Sequence, residues 1–251
     1  MHATGLRFSI ASHAAWAPGI TTPEQWRAWA VDPVRIGSGP DPALQAMPAM
    51  LRRRAGFLGK MALEVAYACL DGRANVPAVF CSRHGEVSRA VDLLGELAQE
   101  QALSPTGFGL AVHNASAGLF SIARADRANH MALAGHTATI EHGVVEACGL
   151  LADGAPAVLL VAYDCPLPAP LAGFEDCDEQ PFAWAWLMTA PDAAPAVTLG
   201  LALAPAEGDG GGQGRKDAAP AGLEILRFQL GATASLTRET GMQRWTWTRD
   251  A

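Results

Sequence analysis

Residues 134–164 read AGHTATIEHGVVEACGLLADGAPAVLLVAYD. Thr139 to Ala152 is an apolar, helix-forming run stopped by Asp153-Gly154, a pair suited to a helix end. Ala157 to Tyr163 follows as an unbroken apolar run, which suits a strand covered on both faces. A helix, a tight turn and a doubly buried strand in succession predict a layered α/β fold with a sheet covered by helices. Working upstream, Met131 to Ala134 reads as a short strand and Phe108 to Ala123 as a helix, set off by Ser104-Pro105-Thr106. Ser88 to Gln101 is a further helix, Val76 to Cys81 a buried strand, and Pro48 to Leu70 a helical stretch closed by Asp71-Gly72. Leu6 to Ile10 alternates like a strand, and Thr22-Pro23-Glu24 supplies an N-cap, an N1 proline and an acidic first turn for a helix carrying Trp26 and Trp29. Downstream, Phe182 to Thr189 and Ala196 to Ala204 read as strands, Leu223 to Leu230 as a helix and Arg244 to Arg249 as a strand. Between them AEGDGGGQGRKDAAPA, Ala206 to Ala221, is Gly-rich and polar, so a flexible linker is expected between a domain at 1–205 and a tail at 222–251. Trp245 and Trp247 alternate on that tail and should pack back on the domain.

Composition narrows the function. Half of the 251 residues are hydrophobic and 17% are charged, which describes a densely packed globular chain. A formal charge of −7, with Arg52-Arg53-Arg54 as the longest basic run, lacks the field a phosphate backbone requires. The opening MHATGLRFSIASHAAWAPG has no basic segment ahead of an apolar one, and no apolar run approaches a membrane span, so a cytoplasmic location is expected. Cys69, Cys81, Cys148, Cys165 and Cys177 are scattered without metal-ligand spacing, so they read as reduced thiols with no metal site and no cofactor.

Together with VHNASAGLFSI at Val112 to Ile122, the stretch at 134–164 resembles the β-ketoacyl synthase family, in its N-terminal half. In that family a V-N-x-x-A-G-x-x-(S/T)-I helix precedes a loop that delivers the nucleophilic cysteine to the head of a buried helix. Laying Asn114, Gly118, Ser121, Ile122 and Gly154 on those motifs puts Thr137 on the cysteine without a gap. The resemblance implies the N-terminal half of a thiolase-like fold, with a V-x-G-x-G-like opening at Leu6 to Ala11. It also places the family's catalytic histidines in a C-terminal half, whereas no histidine follows Ala204 here.

Condensation needs an activated thiolate and groups that drive decarboxylation. The resemblance therefore implies a non-catalytic subunit like a chain length factor, of a type II polyketide, fatty-acid-like or aryl polyene synthase, paired with an active β-ketoacyl synthase and shaping its acyl pocket. Acyl carrier protein is a further partner implied. Two alternatives stay open: an acyl-thioester hydrolase or acyltransferase using Thr137 with His142 as base, and a module that only binds acyl carrier protein. In the first, Glu141 is the sole acidic orienter evident; in the subunit reading, Asn114, His136, Thr137 and His142 fill the vacated pocket. His113-Asn114 serves packing, Cys148 lies inside a helix, and Ser82-Arg83-His84-Gly85-Glu86 lacks the G-x-S-x-G pattern and reads as a loop. The resemblance further implies that His130, Met131, Ala132, Leu133 and Ala134, up to His136, pair across the subunit boundary. It places Thr106, Gly107 and Phe108 at the partner's acyl tunnel, with Gly107 where a bulky side chain can block it; a plain turn glycine is the other reading.

Overall fold

The computed structural model describes residues 5–191, 197–206 and 217–250. One mixed sheet of eight strands runs through them: β1 (Leu6–Trp16), β2 (Ala78–Cys81), β3 (His130–Leu133), β4 (Val158–Asp164), β5 (Phe182–Thr189), β6 (Val197–Pro205), β7 (Ser235–Thr240) and β8 (Gln243–Arg249). Their order across the sheet is β3-β2-β4-β5-β1-β6-β8-β7. β2 runs parallel to both β3 and β4, and the remaining pairings are antiparallel.

Among the described residues eight α-helices accompany the strands: α1 (Pro23–Val31), α2 (Ala49–Arg52), α3 (Phe57–Leu70), α4 (Val87–Ala98), α5 (Pro105–Gly109), α6 (Ala115–Arg124), α7 (Thr139–Ala152) and α8 (Ala221–Leu230). Strand alternation splits the core in two. On one face Trp184, Trp186 and Trp247 pack with Trp26, Val144 and Leu226 from α1, α7 and α8. On the other, Phe80, Leu159 and Tyr163 pack with Met61, Val65 and Phe120 from α3 and α6. Every residue of β4 is buried, as a strand covered on both faces requires. Thr22 caps α1 in a reciprocal capping box with Gln25. No helix among the described residues is long and apolar enough to cross a membrane.

Several expected boundaries move. β1 continues six residues past Ile10 to Trp16, held by its pairing with β5. The stretch 48–70 breaks into α2 and α3 because Gly56 is extended (φ −70°, ψ 177°) and starts a new helix. The helix expected at 108–123 is interrupted between α5 and α6. There the His113 ring nitrogen Nε2 lies 2.9 Å from the Ser82 carbonyl, and the ring abuts Gly85, where an added Cβ would fall 2.7 Å from its Cδ2. β7 had no counterpart in the sequence reading. Of the proposed linker, 207–216 lies outside the described residues, while Ala206 bonds to the Met242 carbonyl and the Ala218 carbonyl accepts from Asp178. β8 pairs with β6 over its whole length, and Trp245 and Trp247 are buried.

Candidate functional site

Between β3 and α7 the chain makes a 3-10 turn, His136–Ala138, that forms an elbow at the head of α7. His136 takes a left-handed backbone (φ +54°), sparsely populated by residues with a Cβ. Thr139 holds the turn: its Oγ1 donates to the His136 carbonyl (2.6 Å) and accepts from the Gly135 N–H (2.9 Å). Gly135 is required there, since a Cβ would fall 2.7 Å from His142 Cδ2. The Thr137 carbonyl accepts from Arg238 Nη2 at 3.0 Å, so β7 reaches across to the elbow.

The four residues assigned to a vacated pocket are not drawn into one hydrogen-bonded group. His136 is exposed, with Nδ1 3.4 Å from Thr137 Oγ1. His142 instead packs edge-on against Trp245, with ring centroids 5.4 Å apart, and Asn114 stands exposed at the start of α6 without a side-chain cap bond. Glu141 is fully buried and engaged elsewhere, accepting from Arg238 Nε (2.8 Å) and Trp247 Nε1 (3.4 Å) and bonded to neither histidine. Thr137 thus has neither a buried base nor a carboxylate to orient one. The thiols offer no substitute. Burial pushes Cys69 and Cys148 up to about 11, and Cys177 up to about 12 against the pull of Arg83. Burial raises Cys81 and Cys165 further, with Asp164 adding to it. A thiol held that high is protonated at neutral pH and a poor nucleophile.

At the C-terminal ends of β2 and β4 lies a cleft of about 520 Å³. Its floor is built from the segment read as a plain loop. Ser82 Oγ donates to Asp164 Oδ1 (2.9 Å) and accepts from the Gly85 N–H (2.8 Å). The buried Arg83 guanidinium reaches three carboxylates: Asp164 (3.1 Å), Asp176 (2.6 Å) and Glu179. His84 and Glu86 line the cleft. Asp176, Cys177 and Glu179 place ligand atoms within 4.8 Å of one another, but Arg83 Nη1 lies 3.4 Å from Cys177 Sγ as well, so this guanidinium already supplies the cation there. Sequence reasoning missed the cleft because its parts meet only in the fold.

The residues assigned to the gate lie on α5. Thr106 and Phe108 are exposed, Phe108 to 65%, and Gly107 donates its N–H to Ser104 Oγ at 3.2 Å. Leu94 and Leu97 of the adjacent α4 are exposed too, and α4 contains no buried residue. β3, the segment assigned to the interface, is an outer strand that, among the described residues, pairs only with β2 and leaves its second edge open.

Parallel strands feeding an elbow at the head of a buried helix, within a helix-covered mixed sheet, make a thiolase-like ketosynthase fold. The sequence profile of the β-ketoacyl synthase N-terminal domain matches residues 26–248, and the chain belongs to that family. Among solved structures, the ketosynthase ApeO in complex with its chain length factor ApeC, from Xenorhabdus doucetiae, gives a match with TM-score 0.83 and 25% identity, over 97% of this chain and 100% of the other. The ishigamide ketosynthase/chain length factor gives TM-score 0.62 and 16% identity, over 80% of this chain and 68% of that one. The type II polyketide synthase complex AntDE:AntF gives 0.61 and 11%, over 81% and 70%. No curated protein matches the sequence.

Proposed function

We propose that this chain is a non-catalytic, ketosynthase-like subunit of the chain length factor type, which pairs with an active β-ketoacyl synthase and shapes its acyl pocket in a polyketide or aryl polyene pathway. The observation that carries the reading is the elbow at the head of α7, which presents Thr137 with only the exposed His136 imidazole beside it, 3.4 Å away, and no carboxylate to orient that ring. A threonine hydroxyl needs such a base to attack a thioester. The end-to-end match with a chain of a ketosynthase–chain length factor complex supports the same reading. So does the open edge of β3, because an unpaired strand edge is a template for pairing with another chain.

The purified chain, incubated with acyl carrier protein thioesters, is expected to remain unacylated by intact-mass spectrometry and to condense nothing. A covalent acyl adduct on Thr137 would replace the subunit reading with that of an enzyme. If the chain assembles with a synthase without altering its product length, it is a carrier-protein or assembly module instead.

A further inference from the structure

We propose that the cleft at the ends of β2 and β4 is a binding site for an alkylammonium or alkylguanidinium group, either a free amine or the end of a lysine or arginine side chain on a bound protein. The inference concerns the cleft and not Thr137, although His84 of the cleft is close enough to the elbow to feel the charge of His136, and binding of the free probes stands whether or not the subunit reading does.

Charge is the first ground. Glu86, Asp92, Asp164 and Glu179 line the cleft with Arg35 and Arg89. Arg35 is already paired with Asp178 (2.9 Å), while Arg89, whose Nη2 donates to the Arg54 carbonyl (3.2 Å), keeps its charge and offsets part of that of Glu86. Beneath them the single positive charge of Arg83 is shared by Asp164, Asp176 and Glu179. Negative charge is therefore in excess at a place largely withdrawn from water, where it is costly.

Unmet hydrogen bonding is the second. Glu179 is 4% exposed, and while its Oε2 accepts from Arg83, its Oε1 has no partner. His84 Nε2 is likewise buried and unpartnered in the same lining. Burial holds Glu179 and Glu86 above the ordinary carboxylate range and His84 below the ordinary imidazole range. The environment thus disfavours further uncompensated charge, and a donor cation at Glu179 Oε1 meets both needs. A metal ion fits less well, because Arg83 already reaches the Asp176, Cys177 and Glu179 ligand atoms.

Shape is the third. Ile36, Phe57, Leu58, Pro166 and Pro181 form apolar walls, so the cleft offers hydrocarbon to a stem and acid to its tip.

The test uses the full chain at pH 7.5 with n-butylammonium and n-butylguanidinium as probes, and 1-butanol and tetramethylammonium as controls lacking the charge or the N–H donor. Fragments of this size should bind at about millimolar concentration. At tenfold the dissociation constant the melting temperature should rise by roughly 4 °C, with no comparable rise for the controls. Glu179→Gln should weaken binding at least about tenfold, as expected for removal of a charged partner. Should that variant fail to fold, Glu86→Gln, which leaves the Arg83 pairs intact, carries the comparison. A flat response of the wild type, equal response to 1-butanol, or unweakened binding by the folded variants would overturn the proposal. Repeating the titration on the complex with a β-ketoacyl synthase separates the sources: a side chain of the partner blocks the probe, whereas a site for a free amine still takes it.

Discussion

Folding alters the His84 imidazole in a way its local sequence does not suggest. Burial is the main cause that lowers its pKa, and Arg83 and His136 add to it, while Asp164 and Asp176 oppose it. A histidine whose folded pKa lies below its unfolded value of about 6.5 contributes stability above that value, lost as pH falls through the folded pKa. Glu86 and Glu179, raised mainly by burial, have the opposite sign: their contribution is present at low pH and lost as pH rises through their folded values. His84→Gln isolates the first effect. Between pH 7.5 and pH 5 the wild type should lose more melting temperature than the variant, and parallel curves would refute the assignment. The turn that carries Thr137 ahead of α7 was legible in the sequence because Asn114 and Gly154 bracket it within continuous motifs. His84 was not, because its neighbours Ser82 and Arg83 find their carboxylates 82 and 96 residues away, at Asp164 and Glu179.

At the scale of elements, the contact of α7 with β2 is set by Gly143. A Cβ added there would lie 2.3 Å from the buried Cys81 Sγ and 3.1 Å from Leu160 Cδ1. Gly143→Ala should therefore destabilise the protein by about 1–3 kcal/mol through overpacking, despite alanine's better helix propensity. Adding Cys81→Ala should recover part of that loss, and a double-mutant cycle in urea measures the coupling; strict additivity would show that the helix simply shifts outward. α7 and β4 were readable from sequence because apolar residues mark their buried faces. β7 was not, since its inward positions include Arg238 and Thr240, which bond to Glu141 (2.8 Å) and Trp245 (3.0 Å) instead of packing as apolar groups. The break between α5 and α6 was hidden for a similar reason: the contacts of His113 with Ser82 and Gly85 are tertiary and leave no periodic trace.

Over the whole molecule, the C-terminal hairpin finishes the sheet and braces the elbow through Arg238, which joins Glu141, Glu224 and the Thr137 carbonyl. Arg238→Ala leaves the fully buried Glu141 without its cation and should cost about 3–5 kcal/mol in urea denaturation; a near-neutral change would mean that Glu141 finds another partner. The opposite boundary is the one the proposed assembly would use. The exposed apolar groups Leu94, Leu97 and Phe108 lie on the neighbouring helices α4 and α5, and β3 leaves an open sheet edge. We propose that in such a complex Thr106, Gly107 and Phe108 border the synthase's acyl tunnel. A Cβ at Gly107 meets nothing closer than Ser104 Cβ at 3.4 Å and Leu93 Cδ2 at 3.6 Å, and α5 gives this residue no positive φ. The fold itself therefore leaves room for the first atom of a side chain, and Gly107→Phe tests the tunnel with little direct cost to the subunit. In a complex reconstituted with the active synthase, Gly107→Phe should shorten the products by occupying the far end of the tunnel, with assembly unchanged by size-exclusion chromatography. Products of unaltered length from an assembled complex would make Gly107 a turn residue and remove α5 from the tunnel wall.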